Sequence, residues 1–88
     1  MYLYEGDPDA AAAALKDAAE KARAEGKTPG IMTFESPEEA AHDFFKELRR
    51  LDSSDADLIL ALGVEEKGVG TAVMDRMRNA AEGHIIRL

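Results

Sequence analysis

The sequence has no cysteine and no tryptophan, only three prolines, and just two tyrosines and three phenylalanines. Without cysteine there is no disulfide, no thiol nucleophile and no thiolate metal site. No apolar run reaches the roughly twenty residues that a membrane-spanning helix needs. The acidic start, Glu5-Gly6-Asp7, lacks the order of a signal peptide, basic and then apolar. Positive charge is also scarce. Eleven Lys and Arg stand against eighteen Asp and Glu, a net charge of -7. Such a surface repels phosphodiester backbones and anionic lipid, so neither tight unaided nucleic-acid binding nor membrane association is expected, and a cytoplasmic location is.

What is present fits one small folded domain, residues 1–88. Apolar residues make up 45% and charged residues 33%, which excludes a disordered chain. A domain of this size buries roughly 60–65% of its unfolded surface, enough for one core but not for an elaborate catalytic cavity as well.

Short apolar runs alternate with longer helical patterns. Tyr2-Leu3-Tyr4 reads as a strand. Asp7 can cap a following helix and Pro8 suits its first turn. That helix runs to about Glu25, with Ala11, Leu15, Ala18 and Ala22 as its buried stripe and Gly26 as its left-handed terminator. Ile31-Met32-Thr33-Phe34 is a second strand. Ser36-Pro37-Glu38-Glu39 is a capping box opening the most amphipathic helix, with Ala40, Ala41, Phe44, Phe45, Leu48 and Leu51 on its apolar face and Arg49 and Arg50 suiting its dipole. Leu58-Ile59-Leu60-Ala61-Leu62 is five apolar residues without alternation, the pattern of a strand buried on both faces. A third helix presents Val69, Val73, Met77 and Ala80 on one side, with Ala72 beside them. Gly83 ends it and Ile85-Ile86 is a last strand. Strands separated by helices run parallel with right-handed crossovers. The expected fold is therefore α/β, a small Rossmann-like three-layer sandwich in βαβαβαβ order with a mostly parallel four-stranded sheet. The expected strand order is 2-1-3-4, with the switch point between the first and third strands and ligands beyond the carboxyl ends, at residues 5–9 and 62–70.

Four constellations bear on chemistry. Gly68, Gly70 and Thr71 open a helix after a buried strand, where glycines let amide N–H groups approach an anion. The loop is neither a dinucleotide fingerprint nor a Walker loop, and Glu65 and Glu66 oppose a phosphate, so a structural turn is the simpler reading. Glu39 and His42 share a helix side as in carboxylate metal bundles, but a single copy reads as a solvated face; His84 reads as an edge or core position. Asp52, Asp55 and Asp57 flank a serine turn at the amino end of a strand, opposite the usual ligand edge. Met74 and Met77 offer an adaptable partner face or simply core, and Arg76 or Arg78 can dock a carboxylate or phosphate of a partner. Nothing joins a nucleophile, a base and an oxyanion site. No metal site and no catalytic residue is expected, and the chain alone is not expected to turn over substrate.

Three blocks carry a family resemblance. They are Phe44-Phe45-Lys46-Glu47-Leu48-Arg49-Arg50-Leu51-Asp52, then Leu58-Ile59-Leu60-Ala61, then Gly68-Val69-Gly70-Thr71-Ala72-Val73-Met74-Asp75-Arg76-Met77-Arg78-Asn79-Ala80-Ala81. In composition and spacing they resemble the C-terminal accessory domain of threonylcarbamoyl-AMP synthases. Asp75 and Asn79 stand where that family usually has asparagine and lysine, and the segment after Phe34 is short for it. The resemblance implies a Rossmann-like fold and an accessory role: docking on a separate catalytic domain and controlling its closure. In the full-length enzyme, threonine, bicarbonate and ATP, with magnesium, give threonylcarbamoyl-AMP for modification of the tRNA adenosine beside the anticodon. No cofactor is implied for this chain itself. Arg49, Asp52, Gly68, Gly70, Arg76 and Ala80 carry the motif. Arg49, Asp52, Arg76 and Arg78 are the candidate docking residues, and Gly68, Gly70 and Thr71 the candidate anion-binding ones. The alternative is an independent nucleotide- or anion-binding module using the Gly63–Gly70 loop.

Overall fold

A computed structural model describes residues 1–88. Seven elements follow in the order β1 (Tyr2–Glu5), α1 (Pro8–Ala24), β2 (Pro29–Met32), α2 (Pro37–Asp52), β3 (Leu58–Leu62), α3 (Val69–Ala81) and β4 (Ile85–Arg87). The capping chemistry acts as its residue types dictate. The Asp7 carboxylate accepts from the Ala10 N–H at 2.9 Å and the Ser36 hydroxyl from the Glu39 N–H at 3.1 Å. Glu39 reaches back one residue beyond the cap, accepting from the Glu35 N–H at 3.3 Å. After α1 the chain turns at Gly26, whose φ of +79° is costly for any side chain with a Cβ.

All four strands are parallel, in the order β2-β3-β1-β4. The expected order 2-1-3-4 is thus corrected: β1 and β3 are the central pair, but exchanged. Contacts far apart in sequence decide this. Asp57 clamps the start of β3 to the start of β2, its carboxylate accepting from the Thr28 N–H at 2.7 Å while its own N–H donates to the Thr28 carbonyl at 2.8 Å. Gly30 in β2 lies under the end of α2, where a Cβ would come within 3.0 Å of Leu51 and 3.2 Å of Ala56. On the other side β4 is tied to β1 at both ends. The Leu3 N–H donates to His84 and the Leu88 N–H to Glu5, each at 2.9 Å. The β1-to-β2 connection therefore passes over β3, an exception to the tendency of successive strands to be neighbours.

The sheet separates two apolar layers by its period of two. Leu3, Met32, Ile59 and Ala61 pack with Phe44, Leu51, Val73 and Met77 of α2 and α3. Tyr4 and Leu60 pack with Ala11, Leu15 and Ala19 of α1. Alanines let α1 lie close to the sheet, though each buries little area. Its stripe is Ala11, Leu15, Ala19 and Ala22, with Ala18 only half-buried. In α3 the buried face is rotated from the expected one to Gly70, Val73, Met74, Met77 and Ala81, leaving Val69 and Ala72 exposed. Both methionines are therefore core and not a partner face. In α2, Ala40, Phe44 and Leu51 are buried, while Ala41 and Phe45 face solvent.

β1 and β3 remain adjacent, and their connections leave towards opposite faces, α1 with one layer and α3 with the other. The expected switch point is preserved even though the strand order is not. No helix is long and apolar enough to cross a membrane.

Candidate functional site

Beyond the carboxyl ends of the strands, the loops after β1, β2 and β3 line a half-open cavity of about 970 Å³. Its floor is apolar, built from Tyr4, Ala11, Phe34, Leu62, Val64 and Met74. Its charged lining is mixed: Glu5, Glu35, Glu65 and Glu66 with Arg78 and Arg87. Burial, with a smaller effect from Tyr2, raises the Tyr4 phenol above its ordinary value of 10.0, so it is a neutral hydroxyl at physiological pH.

One carboxylate organises this edge. Glu5 ends β1, is only 8% exposed, and accepts from Arg87 Nε at 2.8 Å and Arg78 Nε at 3.0 Å. Arg78 also donates to Glu66 and lies 4.0 Å from Asp75. Burial alone would raise the Glu5 carboxyl. The hydrogen bonds from Arg87 and Arg78 outweigh it and hold the group below its ordinary value of 4.5. Hydrogen bonds to Glu66 and then Glu5 raise the Arg78 guanidinium. This hub joins β1, α3, β4 and the β3–α3 loop in one network. A carboxylate ending an apolar strand at the expected switch point was its only sequence signal, and neither arginine is near it in the chain.

Gly68, Gly70 and Thr71 lie where α3 begins. Gly68 takes a φ of +56° and carries no side-chain cap. Gly70 is buried, and a Cβ there would overlap the Glu65 carbonyl oxygen and stand 3.2 Å from Pro37. The Gly70 N–H donates to the Lys67 carbonyl at 3.0 Å and the Thr71 N–H to the Gly68 carbonyl at 3.3 Å, so both amides serve the loop itself. The loop is further seated by the Val64 N–H on the Met74 sulfur at 3.3 Å.

The four candidate docking residues are dispersed. Arg49 and Asp52 are exposed at the end of α2, on the side where β3 begins. Arg76 lies over the exposed Phe45 ring, 5.7 Å from its centroid. Arg78 is drawn into the Glu5 hub. Asp57 serves the β2–β3 clamp. Exposed His42 pairs with Asp43 at 2.7 Å, and exposed His84 stacks on Tyr2 with ring centroids 5.0 Å apart. No three His, Asp or Glu side chains converge as metal ligands.

Residues 1–82 match the family described as "Threonylcarbamoyl-AMP synthase, C-terminal domain". The whole chain aligns with the threonylcarbamoyl-AMP synthase of Pyrococcus abyssi at 36% identity, spanning 29% of that protein. The crystal structure of P. abyssi Sua5 complexed with L-threonine superposes with a TM-score of 0.92 at 35% identity, over 99% of this chain and 29% of that one. The C-terminal Sua5 domain from Pyrococcus horikoshii is similar end to end, with a TM-score of 0.77 and 28% identity over 99% of this chain and 94% of that one. With these blocks, this sheet order and this extent of match, the chain belongs to the family of threonylcarbamoyl-AMP synthase C-terminal domains.

Proposed function

We propose that residues 1–88 act as a non-catalytic accessory unit of a threonylcarbamoyl-AMP synthase, docking on a separate catalytic domain and controlling its closure during tRNA threonylcarbamoyladenosine synthesis. The observation that carries this reading is the extent of similarity: the chain corresponds to 29% of a synthase and to 94% of a separately crystallised C-terminal domain. The site's chemistry is consistent with a supporting role. Its buried carboxylate, Glu5, is tied up by two arginines that hold it ionised, so it is no poised acid or base. In this reading ATP, magnesium, threonine and bicarbonate are handled by the other part of the enzyme. The role of this chain is mechanical: a rigid sheet whose faces and edges limit how a catalytic domain opens.

The experiment has two arms. The pure chain, given ATP, threonine, bicarbonate and magnesium, is expected to consume no ATP; turnover would sink the assignment. An NMR titration of the labelled chain with a catalytic domain supplied in trans is expected to shift a contiguous surface. Absence of shifts there, with shifts at residues 63–72 on adding ATP or AMP, would instead favour an independent nucleotide-binding module.

A further inference from the structure

The connection between β3 and α3 forms one wall of the carboxyl-edge cavity, through Gly63, Val64, Glu65 and Glu66. Its two ends are built differently. At the inner end the Gly63 N–H donates to the Tyr4 carbonyl at 2.8 Å, which fixes the chain to β1. At the outer end Gly68 combines a φ of +56° with a ψ of −124°, a conformation open essentially to glycine alone, and a Cβ there would meet nothing within 4 Å. One end is anchored and the other is an unobstructed hinge.

Between them, Val64–Lys67 has few ties to the rest of the fold. The Val64 N–H rests on the Met74 sulfur, a weak acceptor. The Glu65 carbonyl lies against Gly70. The carboxylate and carbonyl of Glu65 both meet Lys67, at 3.1 and 3.0 Å, inside the loop itself. Only Glu66 makes a charged contact with another element, accepting from Arg78 of α3.

Arg78 is held from its other side as well, by its Nε on Glu5 at 3.0 Å. Glu5 is buried, whereas Glu66 is 45% exposed. Of the two bonds to one guanidinium, the inner is therefore the durable one and the outer the one that water can replace. A substitute stands close by. Exposed Asp75, one turn earlier on α3, is 4.0 Å from Arg78 Nη1.

From this geometry we infer that Gly63–Gly68 is a hinged strap along the cavity, latched by the Glu66–Arg78 pair and released when Arg78 exchanges Glu66 for Asp75 about its fixed bond to Glu5. Release swings the strap on Gly68, withdraws Glu65 and Glu66 from the wall and widens the opening. The latch weakens with salt, as exposed ion pairs do. The device belongs to this chain alone and needs no partner. It therefore goes beyond the accessory-domain reading and stands or falls separately from it.

The test follows amide hydrogen exchange by NMR in the 88-residue chain. Lys67 and Gly70 report on the strap, because their N–H groups bond to Glu65 and Lys67; Leu3 and Gly63, bonded to His84 and Tyr4, report on the sheet. Glu66→Gln is expected to raise opening of the strap about three- to fivefold, the scale of one exposed ion pair, with the sheet amides unchanged. Asp75→Asn is expected to do the reverse and slow the strap amides, since it removes the competing acceptor. Glu65→Gln, whose carboxylate reaches only Lys67, is expected to leave Gly70 as in the parent. In Arg78→Gln the strap is already unlatched, so adding Glu66→Gln changes nothing further. The inference is overturned if Glu66→Gln leaves the strap amides unchanged, if strap and sheet amides accelerate together, if Glu65→Gln or Asp75→Asn loosens the strap as Glu66→Gln does, or if the Glu66 and Arg78 substitutions act additively.

Discussion

Replacing Glu5 by glutamine keeps the shape of the carboxyl-edge hub and removes its charge. The cost follows from the exposure of each partner. Taking one member from a fully buried ion pair costs about 3–5 kcal/mol. Arg87 is 72% exposed, so water takes it back and its share falls to the surface scale of about 0.2–1 kcal/mol. Arg78 is 28% exposed and retains Glu66, so its share is about 1–2 kcal/mol, the low end for a hydrogen bond to a charged group. The sum is about 2 kcal/mol at neutral pH. For a domain of this size that lowers Tm by roughly 8–16 °C. Urea unfolding followed by circular dichroism measures it directly.

The pH dependence supplies a second check on Glu5. Its carboxyl titrates below its ordinary value of 4.5 in the folded state. A depressed carboxyl contributes stability that is fully present above the unfolded value and is lost as pH falls through the folded one. The gap between the parent and Glu5→Gln is therefore constant from neutral pH down to about 5 and closes below about 4.5. An unchanged urea midpoint at pH 7, or a gap that stays open in acid, would refute the assignment of Glu5 as an ionised hub.

Three further outcomes are expected. Gly70→Ala destabilises by about 2–3 kcal/mol because the new methyl overlaps the Glu65 carbonyl, and thermal melts will show it in the absence of any ligand. Phe44→Ala costs about 3–4 kcal/mol, whereas Phe45→Ala, half in solvent, costs under about 1 kcal/mol; paired denaturation curves separate the two neighbours. Asp57→Ala removes the acceptor for the Thr28 N–H and costs about 1 kcal/mol, with hydrogen exchange accelerating first in β2.

The chain shows where local chemistry suffices and where it does not. Helix starts at Asp7 and Ser36, and the turn at Gly26, are set by residues within four positions of one another, so they were legible from spacing alone. Amphipathic faces were legible only to within a rotation. Periodicity pointed to Val69 and Phe45 as core, yet both are exposed, because α2 and α3 pack on each other as well as on the sheet, and which flank each presents depends on the neighbour. The residues of the cavity were partly foreseen, as the loops at 5–9 and 62–70. The loop after β2 and the Glu5–Arg78–Arg87 hub were not, since the hub's partners lie 73 and 82 positions apart.

The sequence by itself determined the class of fold. Alternating apolar runs and capped helices can bury their faces together only as a parallel α/β sandwich, and β3, apolar throughout, had to be central. It also carried the family blocks, because those are short-range patterns. Strand order was decided only in the tertiary structure. Which of β1 and β3 lies beside β2 turns on the Asp57–Thr28 clamp, on the room above Gly30 and on the ties of β4 to β1. The same is true of the charge. The net value of -7 was readable from composition, but the meeting of Glu5, Glu35, Glu65 and Glu66 at one cleft arises because parallel strands bring their carboxyl ends and the loops that follow to one edge.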